Sequence, residues 1–404
     1  MMSGIPRQKR VASAILLGSA LLISAARGQP AADSPMMAIA GAPSIAWVAT
    51  GDLNGDGKVD LALAEAKFVR NPAREQNVFR LHLLFQKAGA FAMPADKVID
   101  LPGPASGLAV GDFDKDGKAD LAVGLRSMRS LAVYLGGENF EKQHLSQYGN
   151  DSGAGGLSLG RISRDAPADF MTGAAWRRWN KGGRFSEGYF CGPERNDNWH
   201  STLADLDRDG TDDVIFTTFW TTKPAPKGSN NFVRIYYGPF LSVGLVGPTS
   251  GGGLITLTSP LADAESEALG QVLVGDLNGD EQPDLVVPAR DKTLIYFQNN
   301  PTGFTDRAGP SLVLDGVTAL LAEDLDGDRL CDIVFRAADG KSVAIWRQGK
   351  QKPLTANWAA ESRKVSLAKR AVAAAAGDLS RDGNKMLFVA LEGGGLALVP
   401  SSQP

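Results

Sequence analysis

The sequence predicts an all-β fold, a seven-bladed β-propeller of four-stranded blades whose ring is closed by an N-terminal strand. Three observations carry that expectation. An Asp-rich loop recurs along the chain, apolar runs of strand length flank each copy, and the last copy lacks a strand that the N-terminus can supply.

The clearest copy reads Asp52-Leu53-Asn54-Gly55-Asp56-Gly57-Lys58-Val59-Asp60. Near-identical copies start at Asp112, Asp205, Asp276, Asp324 and Asp378, and a worn one starts at Arg161. Their starts lie about 44 to 71 residues apart, the period range of propellers and repeat arrays. Oxygens at positions 1, 3, 5 and 9 of such a curled loop can converge, and the carbonyl at position 7 can fill a further place. Calcium takes six to eight oxygen ligands, whereas magnesium gives up its water reluctantly. The expected calcium ligands are therefore Asp52, Asn54, Asp56, Lys58 (carbonyl) and Asp60 in the first loop, and Asp112, Asp114, Asp116, Lys118 and Asp120 in the second. Asp205, Asp207, Asp209, Thr211 and Asp213 follow in the fourth, Asp276, Asn278, Asp280, Gln282 and Asp284 in the fifth, and Asp324, Asp326, Asp328, Leu330 and Asp332 in the sixth. That makes about five calcium sites.

Two rival readings are weaker. Asp, Asn and Gly dominate ordinary turns, but a bland turn has no reason to keep four ligand positions in five copies. An EF-hand loop needs an acid at position 12 and flanking helices, and here that position is Leu63 inside an apolar run. The worn copies are informative in their own right. Arg161 and Ser163 replace ligands in the third, so its guanidinium repels a cation and the site is expected to be empty. The seventh keeps Asp378, Ser380 and Asp382 but puts Met386 at the closing position, so it is not counted among the five. The turn glycine at position 6 is lost to Glu281 and Arg329 in the fifth and sixth.

Strand signals follow in a fixed order. Leu108–Val110 and Val272–Val274 precede their loops; Leu61–Ala64, Val214–Phe216, Leu285–Val287 and Ile333–Phe335 follow them. Third runs are Phe79–Phe85, Leu131–Leu135, Val233–Tyr237, Leu294–Phe297 and Val343–Trp346, and fourth runs include Lys97–Leu101 and Leu254–Leu257. The seventh unit ends at Leu396–Val399 after three strands, so Met36–Ala40 is expected to supply its fourth and close the ring.

These loops and their spacing resemble the FG-GAP/VCBS repeat proteins, which include the propeller of the integrin α-subunit and secreted lectins. The likeness covers roughly residues 36–400 and is nearer to the VCBS-type variant, because the Phe-Gly and Gly-Ala-Pro elements are poorly kept. It implies a calcium-binding propeller and leaves the activity open, since the family spans adhesion, glycan binding and lyase-associated modules.

Residues 1–28 read as a signal peptide: Arg7, Lys9 and Arg10 precede an apolar stretch from Val11 to Ala26, with small residues at Ala26 and Gly28. Residues 29–35 form a short linker and residues 36–404 the propeller. A secreted or periplasmic location is expected, with no membrane span in the mature chain. Cys191 and Cys331 fall half a ring apart and are not expected to pair. The net charge is −3, but once the liganding carboxylates are set aside the remaining surface is basic, which favours acidic partners. No basic helix or nucleic-acid motif accompanies it.

Three loops opposite the metal loops read as long: Glu65–Asn77, Gly173–Arg184 and Thr217–Asn231. The candidate ligand residues, Trp176, Arg177, Trp179, Trp199, His200 and Trp220, lie in or beside the last two. Flat aromatic faces beside cations suit sugar rings and acidic glycans, although a Trp packed between blades is the common alternative. The expected function is a secreted, calcium-stabilised binding module for a glycan or an extracellular protein. A lyase or hydrolase of acidic polysaccharide is the alternative, and a structural module of an exported assembly the second. Catalytic signals are thin. Gly156-Leu157-Ser158-Leu159-Gly160 fits a nucleophile pattern but sits where an inner strand belongs, and His82, His144 and His200 form no zinc pattern.

Overall fold

Apolar residues on both faces of a strand demand cover on both faces, and a propeller supplies it by stacking each sheet between two others. The computed structural model describes residues 37–39, 41–67, 77–125, 130–136, 140, 142–147, 154–162, 168–172, 175–180, 184–185, 189–190, 198–219, 232–238, 240, 253–259, 269–300, 302–306, 308–349 and 354–401. Strands Asp120–Leu125 and Ser130–Tyr134 are buried along their whole length. One four-residue helix, Trp358–Glu361, interrupts the β-structure. No helix among the described residues is long and apolar enough to cross a membrane.

The fold is a β-propeller of four-stranded blades. Around the first loop, Ile45–Gly51, Asp60–Lys67, Val78–Leu84 and Lys97–Asp100 pair in that order, with each neighbour antiparallel. The second loop is set in Ala105–Gly111, Asp120–Leu125, Ser130–Tyr134 and Lys142–Gln147. The fourth is set in Asn198–Ala204, Asp213–Phe219, Phe232–Tyr236 and Leu254–Thr258, to which Ala154–Gly155 adds a parallel edge. The fifth joins Leu273–Gly275, Asp284–Pro288, Lys292–Tyr296 and Leu312–Asp315; the sixth joins Val317–Glu323, Asp332–Ala337, Ser342–Trp346 and Arg363–Ser366. The seventh joins Ala371–Gly377, Met386–Leu391 and Leu396–Pro400, and Met37–Ile39 pairs antiparallel with the last of these in the register Ala38↔Ala397.

Those six units are regular, so the expectation of seven equal blades is corrected to six. At the third loop, Ser158–Gly160, Ala168–Thr172 and Ala175–Asn180 pair in order, but two strands of two residues, Arg184–Phe185 and Tyr189–Phe190, share the outer edge. The sequence beyond Asn180 is punctuated by Gly182, Gly183, Gly188, Gly192 and Pro193, residues that weaken strands.

A second correction follows in the same place. Gly173–Arg184 was expected to be a long loop, yet Ala175–Asn180 within it is a strand, and only residues 173–174 separate it from Ala168–Thr172. Aromatic residues favour strands, and here they outweigh the paired arginines that made the segment look exposed.

Apolar clusters fill the gaps between sheets. Ala62, Ala64, Leu81 and Leu83 of the first meet Leu121, Val123, Ala132 and Tyr134 of the second, and Phe113 meets Phe170 edge to face at 5.0 Å. Single polar bonds join inner strands across the same gaps: Trp47 Nε1 donates to the Ala105 carbonyl (3.1 Å), Thr202 Oγ1 to Val272 (2.8 Å) and Thr50 Oγ1 to Ala376 (2.6 Å).

Candidate metal centres and the Trp-bearing blades

Each loop turns between the first and second strands of its sheet, and its closing acid at position 9 is the anchor. Asp60, Asp120, Asp213, Asp284 and Asp332 are fully buried. In every case one oxygen accepts the position-2 amide, from Leu53 (2.9 Å), Phe113 (2.6 Å), Leu206 (2.9 Å), Leu277 (2.8 Å) and Leu325 (3.0 Å). The other accepts an amide just past the third strand, from Gln86, Gly136, Gly238, Gln298 and Gln348 at 2.8 to 2.9 Å. The buried position-2 side chain enforces this geometry, since Leu53, Leu206, Leu277 and Leu325 are wholly covered.

Burial penalises the charged form. It pushes the carboxyls of Asp60 and Asp120 up to about 6, and those of Asp213, Asp284 and Asp332 up to about 7, against the opposing pull of the amide bonds.

Positions 1, 3 and 9 come together. One oxygen each from Asp112, Asp114 and Asp120 lie within 4.8 Å of one another, as do those of Asp205, Asp207 and Asp213, and of Asp324, Asp326 and Asp332. Several Asp clusters can thus hold a metal ion. Asn54 and Asn278 take position 3 in the first and fifth loops, which places a neutral oxygen there instead. Position 5 stands apart from the three-carboxylate groups. Asp116, Asp209 and Asp328 accept the position-7 amides of Lys118, Thr211 and Leu330 at 2.7 to 2.8 Å, and Asp56 pairs with the Lys58 ammonium at 2.7 Å.

The donor set fits a hard cation. Asp52 Oδ1 and Asp205 Oδ1 are buried and accept no hydrogen bond, which is an expensive state for a carboxylate oxygen unless a cation faces it.

The worn copies differ as their sequences imply. Met386 leaves the seventh loop without a closing acid, and Ser401 N donates to the Lys385 carbonyl (3.0 Å) where its counterparts reach a carboxylate. In the third, Arg161 turns away to the neighbouring loop, where its Nη2 donates to the Gly210 carbonyl (2.9 Å) and its amide to Asp212. Ser163 lies outside the described residues.

The Trp set divides. Trp176 was expected to face a ligand; it is 1% exposed, and its indole donates to the equally buried Asp169 at 2.9 Å, so it belongs to the core. Arg177 and Trp179 occupy the same strand, opposite Phe170 and Ala168. Trp199 and His200 lie on Asn198–Ala204, opposite Thr218 and Thr217. Trp220, Cys191 and most of the loops following Lys67 and Phe219 lie outside the described residues. Cys331 is buried with a free thiol, which burial pushes up to about 12.

Ser158 is not arranged as a nucleophile. It is buried, donates to the Ser201 carbonyl (2.7 Å) and accepts from Gln271 Nε2 (2.8 Å), so the hydroxyl joins the third and fourth sheets to the segment leading into the fifth. His82 is likewise buried, 2.8 Å from Glu65.

Sequence reasoning missed two features. Position 4 takes a positive φ as position 6 does, at Lys115 (65°), Arg208 (60°) and Arg381 (60°); the recurring Gly at Gly55, Gly279 and Gly327 was the signal. The residue two past the third strand is a second tether, since Gln298 Nε2 donates to the Leu206 carbonyl of the preceding loop (2.9 Å).

Residues 105–124 match the FG-GAP repeat family, a span that holds the inner strand, the whole second loop and most of the next strand. No curated protein matches the sequence. Among solved structures, that of BBS1N in complex with ARL6DN, soaked with mercury, is similar with a TM-score of 0.56 at 12% identity, over 92% of this chain and 98% of that one. At that identity the likeness is one of fold. The chain is a β-propeller that carries an FG-GAP repeat at residues 105–124.

Proposed function

We propose that the chain is an exported, calcium-loaded binding propeller whose ring is closed by Met37–Ile39. An FG-GAP propeller is in general a binding module. The observation that carries the calcium reading is the convergence of positions 1, 3 and 9 on one point in three loops, beside buried and unpaired oxygens in the first and fourth. Closure is supported by the Ala38↔Ala397 pairing and by the Thr50 bond that joins the first and seventh sheets. Calcium supplies charge that lets buried carboxylates stay ionised, so its role is to set loop shape rather than to carry a reaction.

The partner is a glycan or an extracellular protein, met on the irregular third sheet and the adjoining strand Asn198–Ala204, whose sequences carry Arg177, Trp179, Trp199 and His200. Irregularity supports that choice, because an interrupted blade edge is where a repeat scaffold departs from its own template. Trp176 no longer counts toward it.

A glycan-array screen of residues 29–404, in calcium and in chelator, tests the reading. Calcium-dependent binding lost in Trp199→Ala is the expected result. Binding that ignores both calcium and Trp199 contradicts it, and cleavage of a bound polysaccharide replaces it with an enzymatic one.

A further inference from the structure

The metal loops are not equivalent, and the difference lies in the position-1 acid. In the second loop both oxygens of Asp112 are taken by amides of the loop itself, Asp116 and Gly117, each at 3.0 Å. Asp276 is likewise held at both oxygens by Gly279 and Glu281 (2.7 Å each), and Asp324 by Gly327 (2.7 Å) and Arg329 (2.9 Å). In the first and fourth loops only one oxygen is used. Gly57 N donates to Asp52 Oδ2 (2.7 Å) and Gly210 N to Asp205 Oδ2 (3.0 Å), leaving each Oδ1 buried and bare.

Those same two loops follow the two worn copies, and each receives an arginine from its defective neighbour. Arg161 of the third copy donates to the Gly210 carbonyl, and Arg381 of the seventh donates to the Gly57 carbonyl. Gly57 and Gly210 are the position-6 residues whose amides hold Asp52 and Asp205. One glycine in each loop is thus gripped on both sides, by a guanidinium from outside and by the first ligand from inside. The arginines come from different places in their repeats, position 1 in one and position 4 in the other, yet they end on the same carbonyl.

We infer that Arg161 and Arg381 are positioning residues that preset the fourth and first loops as a tight class of cation site, distinct from the second, fifth and sixth. Two effects oppose each other. A guanidinium near a cation repels it, but both arginines are exposed, so water and salt screen that repulsion. A buried carboxylate oxygen without a partner carries its full desolvation penalty until a cation arrives. Relief of that penalty outweighs the screened repulsion. In the other three loops a cation must first compete with amides already bonded to the acid. The inference rests on the calcium reading proposed above.

Calorimetric titration of the metal-free chain with calcium chloride tests it, using the wild type, Arg161→Ala, Arg381→Ala and the double variant. The wild type should show two classes of site, the tighter holding two ions. Each single variant should move one ion to the weaker class with an affinity about tenfold lower, and the double variant should abolish the tight class. Arg161→Lys keeps the charge without the planar fork and should restore affinity only in part. Thermal melts in chelator should leave the variants folded, and Lys variants serve where an Ala variant does not fold. A single class of sites in the wild type, or a tight class that survives or strengthens in the double variant, overturns the inference alone. No heat with calcium at any concentration overturns the calcium reading as well.

Discussion

At the residue scale, the buried closing acids make stability depend on pH in a direction opposite to ordinary salt-bridged carboxylates. Their folded values, about 6 to 7, lie above the ordinary carboxyl value of 3.8, so the metal-free native state holds more protons than the unfolded chain between about pH 4 and 7. Metal-free stability should therefore fall as pH rises through that window and level off above it. Calcium, which favours the ionised acids, should raise the melting temperature more at pH 7.5 than at pH 5. Melts in metal-stripped buffer across the window check both statements, and a metal-free protein that grows more stable from pH 5 to 7 contradicts them.

Backbone strain gives a second prediction at this scale. Arg329 holds φ 73° at a position where other loops keep glycine, which an L-residue with a long side chain tolerates poorly. Arg329→Gly should stabilise the protein by roughly 1 kcal/mol, seen as a higher urea midpoint at unchanged slope. A lower midpoint would mean that the Arg329 side chain contributes more than its backbone strain removes.

At the element scale, the third sheet is where sequence and structure part. The loops and most strands were legible because the Asp-x-Asp/Asn-x-Asp spacing and the apolar runs that bracket it report a local geometry; every run named from sequence lies in or overlaps a strand. Trp176 was not legible in the same way. The run Trp176-Arg177-Arg178-Trp179 gives each face of a strand one Trp and one Arg, and a sequence does not say which face of that strand the next sheet covers. The Asp169 partner decides it, at the closing position of the worn copy, where the indole donates to a buried carboxylate oxygen. Trp176→Phe removes that bond while keeping an aromatic ring. It should lower stability by about 1 to 3 kcal/mol in urea titration, with glycan or protein binding unchanged. Loss of binding without loss of stability would return Trp176 to the ligand surface.

At the scale of the whole molecule, sequential wiring replaces a single core. Several loops are tied to a neighbour by side chains a sequence cannot rank, such as Gln86 reaching the Leu379 carbonyl (3.4 Å) and Ser401 Oγ reaching Leu325 (2.9 Å), so unit boundaries are readable but joints are not. The joint nearest the termini is the strand Met37–Ile39. A chain starting at Pro35 should melt like one starting at residue 29. One starting at Ala42 exposes the edge of Leu396–Pro400 and should melt several degrees lower. Equal melting temperatures would show that the strand contributes nothing to holding the ring.

Native mass spectrometry of residues 29–404, with calcium and after chelation, tests most directly whether the repeat loops are cation sites. About five bound ions that chelator removes are expected, with a sixth or seventh absent because Met386 and Arg161 stand where acids belong. A chain that carries no calcium at millimolar concentration, and whose melting temperature chelator does not change, would mean that the acidic loops fold on their own amides and that calcium has no part in this propeller.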